Sequence, residues 1–572
     1  METRIELIDD ETLALFFPYN PETIAAIKGL QHRRWNPRKR RWEVHLSSLA
    51  EVMGILGLTP RDVDEEILDR YRRGWSRHRL KVELDHLYGR LSGSGAPLKE
   101  IDRQTSFHMP GYKYSPKYIA GKWDGKRHLL NRRTQKFPAG LWPRVRRVLK
   151  DHQIDYQLVR KVRPPSPGKG PLQCGPERTP LRPYQSEACE AALKTRRGII
   201  QIATGGGKTL LAAHLIRRVQ QPAFFFVHTL ELLYQAAELL GRELDTEIGI
   251  LGDGRADLRP LTVATVQTAI RMCSSKPPTI SNPEPIETED EEETGPAEQP
   301  VTVDEATRQQ IQEAIARSKV AIFDECHHVP ADTFYKVAMQ TARAGWRIGL
   351  SATPWRDDHH DLLLEAALGR KIHVTSCSDL IDQGFLVPPR IMMRPAPRPQ
   401  RLGRGLRYPD YYRLAIVENQ ARNRVIATQA RRWAEQGRSV LILVAQVAHG
   451  RQLQAVLPEA PFTHGSLDSQ TRQRYLQNLE RKLHPVLIAT TLADEGLDVP
   501  NLGCVILAGG GKSPTRAYQR IGRALRPADG KSEARVLDFM DEVPYLQEHS
   551  RSRLELYRQE PRFQIEELEE NA

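Results

Sequence analysis

The chain has 572 residues, 40% of them hydrophobic, with 84 Lys and Arg against 71 Asp and Glu for a formal charge of +13. Its length predicts several domains with packed cores, while no stretch approaches the roughly 18–20 continuous apolar residues of a membrane span, which excludes a protein of that kind. Met1 to Glu6 lack the basic-then-apolar layout of a secretory signal, and the six cysteines (174, 189, 273, 326, 377 and 504) form no C-x-x-C pair, which suggests neither a zinc knuckle nor a disulfide framework and points to a reducing, cytoplasmic location.

The basic excess sits at the front. Residues 1–170 hold 34 Lys and Arg against 20 Asp and Glu, a balance of +14, and the remainder balances to −1. Phe17-Pro18-Tyr19, Ile27-Lys28 and the run Trp35-Asn36-Pro37-Arg38-Lys39-Arg40-Arg41-Trp42 come first. Residues 111–150 then carry 12 basic residues and one acid, Asp124, interleaved with Tyr112, Tyr114, Tyr118, Trp123, Phe137 and Trp142. Cations meet phosphates and rings stack on bases, so this mixture fits a nucleic-acid surface better than a solvated basic face with structural aromatics. Tyr112, Lys113, Lys117, Lys122, Trp123, Lys126 and Arg127 are the candidate contacts. The run Arg163 to Pro171 is too rich in Pro and Gly for a helix or central strand and reads as a linker.

Leu181-Arg182-Pro183-Tyr184-Gln185 follows, with a glutamine amide suited to an adenine edge. The apolar run Gly198 to Ile202 predicts a strand that breaks into Ala203-Thr204-Gly205-Gly206-Gly207-Lys208-Thr209. Glycines let backbone N–H groups approach phosphates, the lysine reaches the β/γ-phosphates and the threonine hydroxyl ligates magnesium. Ile202 stands where the usual spacing has its first glycine, and alone this pattern also fits a kinase or a transporter. A strand over 223–227 and a helix near 230–240, with Leu232, Leu233, Ala236, Ala237 and Leu240 on one face, continue an alternation that implies a parallel sheet with its chemistry at the strands' carboxyl ends.

Between Cys273 and Asp304, the stretch Glu284 to Glu293 holds seven acids and no base and predicts a disordered surface loop. The strand Val320 to Phe323 delivers Asp324, placed to hold magnesium, and Glu325, placed to polarise an attacking water. His327-His328 and His359-His360 read as polar loop residues, not metal ligands. The strand from Arg347 ends in Ser351 and Thr353, two hydroxyls that can bridge from the carboxylates to another surface. A second alternation runs through Ser439–Val444, Pro485–Ala489, Cys504–Ala508 and Ala534–Phe539. Gln519-Arg520-Ile521-Gly522-Arg523-Ala524-Leu525-Arg526 is expected at a helix start, with arginines one turn apart to grip charge on a transferring γ-phosphoryl group.

This ordered set resembles a superfamily 2 helicase of the phage UvsW and XPB-like type over roughly residues 180–530. The resemblance implies an α/β fold: two tandem RecA-like parallel-sheet motor domains preceded by small basic α+β DNA-binding domains. It implies that Arg182, Gln185, Thr204, Gly205, Gly206, Gly207, Lys208, Thr209, Gly496 and Asp498 bind ATP, with Mg2+ on Thr209 and Asp324. Catalysis falls to Lys208, Asp324, Glu325, Gln519, Arg523 and Arg526. Ser351 and Thr353 couple hydrolysis to movement, and Thr229, Thr265, Gly465 and Thr490 touch DNA. Gly111 to Tyr118, Gly121 to Lys126 and Phe137 to Leu141 resemble the N-terminal domain of UvsW-type helicases, and Phe17 to Trp42 resembles the HARP domain of annealing helicases. The expected modules are 1–95 (HARP-like), 96–163 (UvsW-type), 164–178 (linker), 179–375 (motor domain 1, acidic loop about 276–303), 376–545 (motor domain 2) and 546–572 (tail).

The implied function is an ATP-dependent DNA helicase or translocase that remodels branched DNA in recombination, repair or fork rescue. It would act as a monomer on branched, forked or partly single-stranded duplex DNA, nucleoid-associated or phage-encoded, with repair or nuclease proteins as partners and no membrane. A motor subunit of a restriction or defence nuclease and an RNA helicase remain open, although the Asp-Glu-Cys-His form and Leu230 lean towards DNA. A non-motor clamp would need a broken motif, and none is broken.

Overall fold

The computed structural model describes residues 3–569 apart from 10, 31–32, 78–79, 94, 110, 163–166, 169, 275–300, 327–330, 353–360, 400–401, 404, 491–498, 500 and 512, with side chains 72–77, 331, 361 and 469 also left out. Thr353, Gly496, Asp498, the acidic run 284–293 and the four loop histidines therefore lie outside the described residues, as does part of the linker. The chain divides into two compact units: Met1–Thr105 with Leu130–Phe137 and Arg144–Lys161, and Ser106–Leu129 with Pro138–Pro143 and Val162–Ala572.

The first unit holds two four-stranded sheets. In one, the antiparallel strands run in the order Arg4–Leu7, Thr12–Phe16, Arg41–His45, Arg33–Asn36. Leu13, Leu15 and Val44 pack there against Ile27, Leu49 and Val52 of the helices Pro21–Gly29 and Leu49–Leu56. Basic Arg33 and Arg34 lie on the edge strand, where charge discourages edge-to-edge pairing. The other sheet has the order Tyr156–Arg160, Leu80–Leu84, Tyr88–Ser92, Lys136–Pro138. Gly89 lets the Phe137 ring cross its strand, since a methyl there would lie 2.2 Å from the ring. This pairing runs across the boundary expected at 95/96: Leu80 registers with Tyr156.

The second unit holds both large sheets. Eight strands lie in the order Arg255–Asp257, Gly249–Gly252, Leu261–Thr265, Ala223–Val227, Val320–Phe323, Trp346–Ser351, Arg197–Ile202, Lys371–Thr375, parallel except for the first pair. Strands buried on both faces explain the continuous apolar runs. Phe225 and Val227 enter one core and Phe224 and Phe226 the other, as the period of two requires. Seven parallel strands form the second lobe in the order Phe462–Thr463, Val486–Thr490, Ser439–Val444, Leu502–Leu507, Ala534–Met540, Pro389–Pro395, Gln564–Glu567.

Two expectations differ from this arrangement. Residues 546–567, expected as part of a tail, form the helix Leu546–Arg558 and the edge strand Gln564–Glu567. Buried Arg553 makes two 2.9 Å bonds to the Asp538 carboxylate, which also accepts from the Tyr557 hydroxyl at 2.9 Å. Gln519 lies in the middle and Arg523 near the end of a helix, Pro514–Ala524, rather than at its start. Pro514 at the first helical position and the Ser513 cap begin that helix earlier. No helix among the described residues is long and apolar enough to cross a membrane.

Candidate active site

Three adjacent parallel strands of the first lobe build the site. Arg197–Ile202 leads into the glycine-rich turn, where Gly205 (φ 82°) and Gly207 (φ 73°) adopt left-handed backbone that glycine tolerates best. The helix Lys208–Val219 starts at once, so its unpaired N–H groups and dipole favour an anion at the turn. Next to that strand lies Trp346–Ser351, with Gln201 opposite Ser351, and beyond it Val320–Phe323, which delivers Asp324 and Glu325.

Lys208 Nζ lies 2.9 Å from Glu325 Oε1. The Ala352 N–H points to Glu325 Oε2 at 3.4 Å, and the Glu325 N–H donates to Asp324 Oδ1 at 3.0 Å. Glu325 has φ 43°, a sparsely populated conformation costing about 1–3 kcal/mol for a non-glycine residue and typical of active sites. Asp324 is 8% exposed. Burial and the Glu325 carboxylate push its carboxyl up, while Lys208 opposes them.

The second lobe closes on this turn. A methyl at Gly522 would lie 2.9 Å from Thr204 Cβ, so glycine is what allows the helix Pro514–Ala524 so close. A methyl at Gly205 would lie 3.6 Å from Arg526 Cγ and Nε, and also 3.6 Å from Leu386 Cδ2. Burial lowers the pKa of the Arg526 guanidinium below the ordinary arginine value. Arg523, with Gln519 one turn before it, acts electrostatically on Glu231 of the first lobe, whose carboxyl burial pushes up and Arg472 and Arg523 pull back.

Gln185 departs from expectation. It is 1% exposed; its Nε2 donates to Gly206 O at 2.9 Å and its Oε1 accepts from the Arg182 N–H at 2.8 Å. Both ends of the amide are spent on the protein, so it braces the turn rather than presenting an edge to adenine. The Tyr184 hydroxyl supports the same carbonyl at 3.0 Å. Arg182 stacks 4.5 Å over Phe385, which meets Tyr184 edge-on at 5.5 Å. Sequence reasoning passed over Phe385 because its position two hundred residues downstream carries no local signal.

The candidate nucleic-acid residues divide. Thr229 and Thr265 cap the helices Leu230–Leu244 and Val266–Cys273, accepting from the Leu232 and Thr268 N–H groups at 3.3 and 3.1 Å. Their expected grip on a backbone competes with that bond. Thr490 ends its strand fully buried, its Oγ1 without a hydrogen-bond partner among the described residues. Gly465 lies in the turn after Phe462–Thr463.

In the N-terminal region, the antiparallel strands Ser106–His108 and Lys126–His128 hold a connecting segment. It exposes Lys113, Lys117 and Lys122 beside Tyr114 (86% exposed) and Ile119 (72%). Lys126 is half-buried. Tyr112 instead stacks on His108 at 4.3 Å and meets Tyr118 edge-on, and Trp123 Nε1 donates to Lys126 O at 2.8 Å. Arg127 turns to the motor, pairing with Asp332 and lying 5.8 Å over Tyr335. Basic and aromatic residues were expected to face outward as a set; these three are spent on holding the element in place, while Tyr114 and, less fully, Tyr118 remain exposed.

The chain is similar in sequence to several known families and proteins. Residues 178–356 match the family described as "Type III restriction enzyme, res subunit", residues 422–528 the "Helicase conserved C-terminal domain", and residues 82–160 "DNA helicase UvsW, N-terminal". The chain is 26% identical over 406 residues to "DNA 3'-5' translocase XPB2" of Sulfurisphaera tokodaii, covering 63% of this chain and 81% of that protein. It is 23% identical over 498 residues to "ATP-dependent DNA helicase uvsW" of Enterobacteria phage T4, covering 81% and 90%. The crystal structure of T4 UvsW aligns over 86% of this chain and 99% of that one, at 19% identity and a TM-score of 0.40.

Proposed function

We infer that this chain, a superfamily 2 helicase resembling the UvsW and XPB proteins, is an ATP-dependent DNA helicase that moves along DNA and remodels branched intermediates. One observation carries the reading: the Lys208–Glu325 pair heads the strands of one lobe while Arg526 of the other reaches the same glycine-rich turn.

ATP is the substrate. The N–H groups of Gly205 to Thr209 and the Lys208 ammonium hold its phosphates. Glu325, released from Lys208 when the phosphates take that ammonium, accepts a proton from the attacking water. Arg526, with Arg523 and Gln519 on the adjoining helix, meets the charge that develops on the γ-phosphoryl oxygens. The Thr209 hydroxyl and Asp324 carboxylate would hold Mg2+, and a buried carboxylate destabilised by a neighbouring one fits a divalent cation. When bound, that ion neutralises charge between the β- and γ-phosphates. Product loss frees the arginines and lets the lobes part, and alternate grips by the two lobes advance the protein along a strand.

DNA contact at Lys113, Tyr114, Lys117 and Lys122 is supported by charge, exposure and the UvsW N-terminal match over 82–160. The restriction-subunit description matching residues 178–356 favours one second reading, a motor serving a separate nuclease. Strand release from a fluorescently labelled forked duplex tests the reading. ATP should support it and a non-hydrolysable analogue should not; release from RNA duplexes alone would overturn it.

A further inference from the structure

We propose that Asp332 and Tyr335 are positioning residues that couple DNA held on the segment 111–125 to ATP hydrolysis, a role that rests on reading that segment as a DNA surface. Residues 106–129 belong to the same compact unit as the motor lobes, not to the N-terminal unit. Arg127, on the strand that closes the element, pairs with Asp332 and stacks on Tyr335. Both partners lie on the helix Ala331–Gln340, the next helix in the chain after Asp324 and Glu325 and begun six residues past Glu325.

That helix is tied to the reacting groups. Its Phe334 packs 4.8 Å from Phe323, the last residue of the strand that delivers Asp324. A second clip lies beside it. A methyl at Gly140 would sit 2.1 Å from Glu365 O and 2.5 Å from Ala366 O, so the segment 138–143 rests backbone to backbone on the helix Asp361–Leu368. Leu368 of that helix packs against Gly349, where a methyl would lie 2.5 Å from its Cδ1. Gly349 belongs to the strand ending at Ser351. The DNA element thus stands on the first of these helices and the segment 138–143 on the second, and the two helices back the strands supplying Asp324, Glu325 and Ser351. Packed chains of this kind carry coupling between sites. The Arg127–Asp332 pair is half exposed, so it adds little to stability, and its loss leaves the fold intact.

The test uses the full chain carrying Asp332→Asn, Asp332→Lys, and the charge swap Arg127→Asp with Asp332→Arg. Basal ATPase, melting temperature and four-way-junction affinity should stay within about two-fold or a few degrees of wild type. The increase in kcat on adding junction DNA should fall at least about five-fold in both single variants, the lower end of usual coupling factors, and recover in the swap. Full stimulation in the single variants, or a parallel fall in basal ATPase and melting temperature, overturns the proposal. A combined Lys113→Ala, Tyr114→Ala, Lys117→Ala variant tests the premise separately. Unchanged junction affinity there defeats the DNA reading, whereas weakened affinity with unaffected Asp332 variants defeats the coupling alone.

Discussion

Gly522 marks the closest approach of the second lobe to the glycine-rich turn, and Gly522→Ala isolates what that approach does. The added methyl would lie 2.9 Å from Thr204 Cβ, 3.4 Å from its Oγ1 and 3.7 Å from its Cγ2. Ordinary carbon contacts sit at about 3.5–4.0 Å, so the helix Pro514–Ala524 must retreat by roughly 0.6–1 Å. Arg523 and Arg526 retreat with it. Misplacing a group by about 1 Å at a reacting centre costs on the order of 100-fold in rate, or about 2.7 kcal/mol at 1.36 kcal/mol per tenfold. The same change favours the helix itself by about 0.5–1 kcal/mol, because alanine loses less backbone entropy than glycine. Steady-state ATP hydrolysis at saturating DNA should therefore show kcat reduced about 100-fold in a protein that melts no lower than wild type. Turnover within three-fold of wild type would refute the close-approach reasoning, and a lowered melting temperature would show that the change disturbs folding instead.

Three other changes probe separate parts. Glu325→Gln keeps the side-chain volume but removes the proton acceptor and the charge paired with Lys208; fluorescent-ATP binding should persist while turnover falls at least about 100-fold. Replacing Lys113, Lys117 and Lys122 with alanine should reduce the slope of log affinity against log salt by about 2.7, at about 0.9 for each phosphate neutralised; an unchanged slope would place the DNA elsewhere. His449 is buried, and desolvation together with the Arg422 guanidinium lowers it from 6.5 to about 3. The unfolded chain takes that proton near pH 6.5 and the native state does not, so this contribution is complete above pH 6.5 and is lost as pH falls towards 3. Urea midpoints measured between pH 7 and 5 should fall less steeply in His449→Gln.

Sequence reading worked where one local signal sufficed. The strand Ala223–Val227 is a bare apolar run with no competing pattern, and the lysine, glycine and carboxylate motifs fall at the ends of such strands. It was weaker wherever the partner lies far along the chain. Leu80–Leu84 pairs with Tyr156–Arg160, and nothing within either strand names the other. The helix Leu546–Arg558 buries an arginine, Arg553, on its inner face, which disguises the apolar period. Residue type also shows what a side chain can do without showing what it does. The hydroxyls of Thr229 and Thr265 cap helices, the Gln185 amide braces a turn, and Arg127 holds an element to the motor. Each choice is made by a neighbour that only folding supplies.

The most direct measurement is ATP hydrolysis by the purified protein without nucleic acid and then with single-stranded DNA, duplex DNA, a four-way junction and RNA, with Lys208→Ala alongside. Strong stimulation by DNA, greatest with the junction and abolished by Lys208→Ala, is the predicted result. Stimulation by RNA alone, or turnover that survives Lys208→Ala, would contradict the account.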